Sequence, residues 1–249
     1  MTLRAPLPLR SVLFDMDNTL YDHRYALRHA VAELRRADPR LSPFSLAEIA
    51  RRDEDILQEV HRGMVLAGTV SVDEGRAIRL QRLYSGLGLR VTEDEAQNLA
   101  LVRRQAYLEH QRAVPGASAL LRALRSQGLW IGIVSNHVAR EQERKLRSLR
   151  LRDLVDALIV SGEVGVNKPD PRIFRVALSH AGVPPGSAVM VGDSWEDDVL
   201  GARAAGIRAV WFHRGGGPAR RAEGVSELRS FRPRHQALAT ILGPGRKTG

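Results

Sequence analysis

From Ala117 to Phe212 the sequence alternates between amphipathic stretches of helical period and short apolar runs. ASALLRALRSQG (117–128) leads to WIGIVSN (130–136), REQERKLRSLR (140–150) to ALIVSGE (157–163), DPRIFRVALSHAG (170–182) to SAVMVGDS (187–194), and EDDVLGARAAG (196–206) to RAVWF (208–212). Strands that are apolar throughout and separated by amphipathic helices belong in a parallel sheet covered on both faces. The expected class is therefore α/β.

An earlier run, Ser11–Phe14, has the same strand-like character but a different sequel. Residues 24–112 carry helix-like stretches only: YALRHAVAELRRA, LAEIARRDEDILQEVH, VDEGRAIRLQRLYSGLG and EDEAQNLALVRRQAYLEH. Apolar residues recur there at three- and four-residue spacing, and Pro39, Pro43, Gly63, Gly68, Gly86 and Gly88 punctuate the stretches. The first strand thus belongs with the later ones. We expect a core from residues 1–20 and 113–249, interrupted by an all-helical insertion over 21–112. HQALATIL is expected as a last helix and GPGRKTG as a frayed end.

Composition excludes several classes. Hydrophobic residues are 43% of 249, which suits a globular core. No apolar run approaches the ~20 residues of a membrane span, and the N-terminal residues lack a secretory pattern. There is no Cys, which rules out disulfides, thiolate nucleophiles and Cys-based zinc sites; a cytoplasmic location is expected. The formal charge of +10 suggests a polyanion partner. However, arginines are spread along the chain among Glu and Asp, and aromatics are only 5%, which argues against nucleic acid and for solvated helix faces.

Open parallel sheets bind ligands beyond the carboxyl ends of their strands. Asp15 and Asp17 follow the first strand, and Ser135 and Asn136 follow the second. Asp193 follows a later strand, with Asp197 and Asp198 opening the next helix, and Lys168 precedes the DPRIF helix. Carboxylates that repel one another can share a hard divalent cation, for which Mg²⁺ is suited. Ser135 and Asn136 offer donors to an oxyanion, and Lys168 a compact charge for a phosphoryl group. A calcium-loop interpretation of Asp15–Asp17 fails, because Leu20 stands where Gly is required and Ala26 where Glu is required.

These residues resemble the signatures of the haloacid dehalogenase superfamily. Asp15-Met16-Asp17-Asn18-Thr19 is similar to its Asp-x-Asp-x-Thr motif, Ser135 to its second motif, Lys168 to its third, and Gly192-Asp193-Ser194 with Asp198 to its fourth. The insertion resembles the helical cap of the C1-capped, phosphatase-like branch. The resemblance implies a Rossmann-like, doubly wound sheet with an inserted helical cap, and a Mg²⁺-dependent phosphatase of small phosphorylated metabolites. It implies Asp15 as nucleophile, Asp17 as general acid and base, and Mg²⁺ held by Asp15, the Asp17 carbonyl and Asp193. It further implies phosphate binding by Ser135, Asn136 and Lys168, with Asp198 orienting Lys168.

A phosphomutase, another hydrolase of the superfamily, and a non-catalytic anion- or nucleic-acid-binding protein are the alternatives. Asp17 favours phosphoryl transfer, because the dehalogenase branch lacks this second acid. Selectivity is expected from Tyr21, His23 and Arg24 and from one of Arg76, Arg79 and Arg82. Monomer and homodimer both remain open.

Overall fold

The computed structural model describes residues 7–215 and 220–243. Gly216, Gly217 and the terminal segment from Pro244 lie outside them. A first strand, β1 (Ser11–Phe14), is followed by four helices, α1 (His23–Ala37), α2 (Leu46–Val60), α3 (Val72–Gly86) and α4 (Glu93–Glu109). The chain forms two compact units, His23–Arg112 and the combination of Met1–Asp22 with Ala113–Gly249.

The helical unit follows from local chemistry. Ser71 and Thr92 open α3 and α4 with capping boxes closed by Glu74 and Glu95, and Ser45 caps α2 through the Glu48 N–H. Leu27, Val31 and Leu34 line one face of α1 and pack with Ile49, Leu80, Leu83, Tyr84 and Ala96. Within this unit Asp53 is fully buried. It accepts from Arg79 at 2.6 Å on both oxygens and from Arg103 at 2.5 Å. Burial alone would raise the Asp53 carboxyl, but the Arg103 and Arg79 guanidiniums outweigh it and hold it below the ordinary range. Burial, aided by Arg103, lowers Arg79 to about 10. Arg76 pairs with Asp73 and Arg82 with Glu59. All three arginines considered for an anionic substrate therefore have acidic partners inside this unit.

The α/β unit adds α5 (Ala117–Ser126), β2 (Trp130–Ser135), α6 (Ala139–Ser148), β3 (Ala157–Val160), a single turn α7 (Ser161–Val164) and α8 (Pro171–Ala181). It ends with β4 (Ala188–Gly192), a π-helical turn over Trp195–Leu200, α9 (Gly201–Ala204), β5 (Arg208–Phe212), β6 (Val225–Leu228) and α10 (Arg234–Leu242). The strands pair in parallel in the order β3-β2-β1-β4-β5-β6. The chain winds outward to β3 and then returns to the other side of β1, which places a topological switch between β1 and β4. Successive side chains of β1 face opposite ways. Leu13 joins Ile173, Phe174 and Met190 on the α8 side, while Phe14 meets Phe231 edge-on at 6.5 Å and Phe231 stacks on Phe212 at 4.1 Å. Both faces are covered, as expected for a doubly wound sheet.

The structure departs from the sequence expectations at three places. Ser161–Glu163 turn helical instead of prolonging β3. The stretch after Ser194 begins as a π-helical turn rather than a regular helix. Val225–Leu228 is an edge strand that carries no apolar run to announce it.

Removing the buried anion should cost more than removing a surface partner. Asp53→Ala leaves two buried guanidiniums unpaired and should lower unfolding free energy by about 3–5 kcal/mol in urea titrations. Arg82→Ala, on a half-exposed pair, should change it by less than about 1 kcal/mol. Because the folded Asp53 value is lowered, its contribution is present above the unfolded carboxylate range and should disappear as pH falls through the folded value.

Candidate active site

The switch point gathers the carboxyl ends of β2, β1 and β4. Asp15 is the first residue beyond β1, and its N–H donates to the Val191 carbonyl at 2.9 Å, which extends the strand pairing by one residue. After it the backbone turns tightly. Both Leu20 and Tyr21 donate to the Met16 carbonyl, at 2.9 and 2.8 Å, and Asn18 adopts φ 61°. Asn accepts this left-handed conformation more readily than most residues.

Lys168 is the hub of the buried side. Its ammonium donates to Asp15 Oδ1 at 2.7 Å, Asp198 Oδ1 at 2.6 Å and the Val134 carbonyl at 2.8 Å. Three acceptors match its three donors. Asn136 secures the loop beneath it: Oδ1 accepts from the Lys168 N–H at 2.7 Å, and Nδ2 donates to the Lys168 carbonyl at 3.0 Å. The Asn136 side chain is thus committed to the backbone of Lys168.

Asp198 arrives from the π-helical turn and accepts from the Ser194 N–H at 3.0 Å through its second oxygen. Its approach requires Gly192, since a Cβ there would lie 2.2 Å from Asp198 Oδ2. Gly201 has a similar role: a Cβ would come within 2.9 Å of Phe174 and of the Pro169 backbone, next to Lys168. Asp197, by contrast, donates its N–H to the Ser194 hydroxyl at 3.1 Å as part of the helix cap. Of the two adjacent acids, Asp198 is the one on Lys168.

Asp15, Asp193 and Asp198 each place a carboxylate oxygen within 4.8 Å of the others. The Asp193 carbonyl accepts from the Trp211 indole at 3.0 Å, which anchors its backbone to β5. Burial is the main force raising Asp15, to about 7; Lys168 opposes it, while Asp198 and Asp17 add to it. Burial likewise raises Asp198. Burial would depress Lys168, but Asp15 and Asp198 outweigh it and hold the ammonium well above its ordinary range. One ammonium among these carboxylates leaves excess negative charge. Asp198 already spends its oxygens on Lys168 and the Ser194 N–H, so Asp15 and Asp193 are the carboxylates here that suit a hard divalent cation such as Mg²⁺.

Asp17 stands in different surroundings. Its side chain is 27% exposed, and its Oδ1 accepts from Lys145 at 2.5 Å. Its Oδ2 accepts from Gln142 Nε2 at 2.8 Å, and the same nitrogen reaches Ser135 Oγ at 2.7 Å. Asp15, Asp17, Ser135, Asn136, Lys168, Asp193 and Asp198 thus all lie at this rim, on either the Lys168 side or the Ser135 side, whereas Arg76, Arg79 and Arg82 lie in the helical unit. Gln142 and Lys145 were not anticipated. A signal for Lys145 was present, because Lys145, Lys168 and Lys247 are the only lysines of an arginine-rich chain.

The chain is similar to known proteins. A family model described as haloacid dehalogenase-like hydrolase matches residues 9–206. The ribulose-1,5-bisphosphate 5-phosphatase of Halopiger xanaduensis is 33% identical over 81% of this chain and 84% of that protein. The phosphoserine phosphatase of Thermus thermophilus is 48% identical, but the match spans only 41% of each chain. The magnesium-bound HAD-hydrolase YfnB of Bacillus subtilis superposes with a TM-score of 0.71 at 24% identity, covering 95% of this chain and all of that one, and this likeness concerns the fold.

The raised Asp15 value has a sign that can be measured. Between the ordinary carboxyl value of 3.8 and about 7 the folded protein keeps a proton that the unfolded chain has lost, so stability falls as pH rises through that window. In metal-free buffer at pH 8, Asp15→Asn should therefore melt several degrees above the parent protein. The gap should close as the pH is lowered toward 4, followed by calorimetry.

Proposed function

Since the chain belongs to the haloacid dehalogenase-like hydrolases, we propose that it is a Mg²⁺-dependent phosphatase acting on a small phosphomonoester through an aspartyl-phosphate on Asp15. The observation that carries this is the pair of acids at the end of β1, one buried on Lys168 and the other tied through Gln142 to Ser135. Two carboxylates in such different settings suit two different tasks.

Asp15 has one oxygen on Lys168 and attacks phosphorus with the other. The bond from phosphorus to the ester oxygen breaks, and Asp17 gives that oxygen its proton. Water then attacks phosphorus, Asp17 takes a proton from it, the bond to Asp15 breaks, and phosphate leaves. Ser135 Oγ and the Asn136 backbone N–H would bind the phosphoryl oxygens, the Asn136 side chain being occupied. Lys168 offsets their charge, and Asp198 keeps Lys168 in place. Asp15 and Asp193, with the Asp17 carbonyl, would hold Mg²⁺, which supplies charge neutralisation for the phosphoryl group.

The helical unit enters the chain directly after the nucleophile turn, where this family places its cap. Substrate choice is assigned to it, although the pairing of Arg76, Arg79 and Arg82 with acids offers no support for those three as phosphate ligands. The phosphatases found among the relatives favour a small phosphorylated metabolite as substrate.

The assignment is tested on p-nitrophenyl phosphate and a panel of phosphorylated metabolites. Phosphate release should stop with a chelator and return with added Mg²⁺. Asp15→Asn should reduce turnover to background, and Asp17→Asn should lower kcat by about 10²–10⁴-fold. Full activity in Asp15→Asn would refute the mechanism.

A further inference from the structure

The geometry points to Lys145 and Gln142 as a positioning pair that aims the Asp17 carboxylate at the leaving oxygen and keeps it in register with Ser135. The inference rests on the phosphatase function proposed above and adds two residues that share one face of α6. They lie three apart, so their side chains project from the same side of the helix.

Several independent features support this role. Gln142 is fully buried and Lys145 is 4% exposed, on a helix where Arg140, Arg144 and Arg147 keep their charge nearer to solvent. An ammonium is costly to bury unless it meets a charge. The acid that Lys145 meets is Asp17, and its Nζ also lies 5.0 Å over the Tyr21 ring, at the end of the Asp17 turn. Gln142 spends one nitrogen on two acceptors, Asp17 Oδ2 and Ser135 Oγ. Its Oε1 is buried with no hydrogen-bond partner among the described residues.

The consequence is geometric. Asp17 lies on a tight turn beyond the sheet, where a free carboxylate would rotate among rotamers. A donor on each oxygen fixes both the direction and the plane of the group. Proton transfer requires the acid within hydrogen-bond reach of the departing oxygen, and small misplacements are costly. Through Gln142 the proton donor and the phosphoryl-binding hydroxyl are set from the same nitrogen. Lys145 and Gln142 touch neither phosphorus nor the leaving group, and they act through Asp17.

Leaving-group dependence distinguishes this role from a structural one. p-Nitrophenolate departs with little protonation, whereas the alkoxide of glycerol phosphate requires a proton. Lys145→Met should lower kcat on glycerol phosphate about 10–100-fold more than on p-nitrophenyl phosphate, with KM changed by less than about threefold. Asp17→Asn should show the same skew more strongly, and Lys145→Arg should recover part of the loss. Gln142→Leu, which keeps the volume, should show a weaker version of the pattern and serves if Lys145→Met does not fold by circular dichroism. An equal loss on both esters, or a change in KM alone, would overturn the positioning role while the phosphatase function stood. Failure of the parent protein to hydrolyse either ester would remove the phosphatase function and this inference together.

Discussion

The three N–H donors of Lys168 reach groups attached to three adjacent strands: the Val134 carbonyl within β2, Asp15 beyond β1 and Asp198 after β4. A single ammonium therefore holds together the carboxyl ends of the central strands, at the point where the winding of the sheet reverses. The arrangement is not self-sufficient. Buried carboxylates outnumber the ammonium, and burial, with Asp198 and Asp17 adding to it, pushes Asp15 up to about 7. The remaining negative charge makes the rim suited to a hard cation. Asn136 and Ser194 are best understood as supports for Lys168 and Asp198.

The sheet was legible because its strands are buried on both faces, so hydrophobic runs and intervening helical periods repeat without ambiguity. Membership of β1 in that sheet followed from the contrast between its sequel and the later alternation. β6 was not legible for the opposite physical reason. Val225–Leu228 is an edge strand, half-exposed and partly polar, and its pairing with β5 is decided by backbone hydrogen bonds rather than by composition. The π-helical turn after Ser194 escaped notice because Glu196, Asp197 and Asp198 read as ordinary N-terminal acids. Its actual shape reflects the need to bring Asp198 over Gly192. Asp53 was hidden for a similar reason, since an acid in RRDEDIL looks solvated until Arg79 and Arg103 close on it from other helices.

Within the site, legibility followed proximity to a strand end. Asp15, Asp17, Ser135, Asn136, Lys168, Asp193 and Asp198 all lie where the chain leaves a strand or enters a helix, and such positions converge once the sheet is parallel. Gln142 and Lys145 lie inside α6, among Arg and Glu, where periodicity assigns polar residues to solvent. Only the packing of α6 against the turn after β1 turns that stretch into part of the rim. Rarity marks Lys168 in this arginine-rich chain. The same property belongs to Lys145, but without a strand end beside it the signal had no location.

Asp15 and Asp17 are two residues apart and chemically identical, so whatever separates their roles must come from their surroundings. Asp15 is 7% exposed and faces Lys168, Asp193 and Asp198, a setting dominated by burial and by other carboxylates. Asp17 keeps contact with solvent and is met instead by an ammonium and an amide from α6. The chain turns directly after Asp17, at the left-handed Asn18, where the Asn18 N–H donates to the Tyr21 carbonyl at 2.7 Å. The proposed function asks one acid to be fixed and charge-paired, and the other to be aimed yet open to water. Two distinct environments within three residues of chain are what such a division of labour would require.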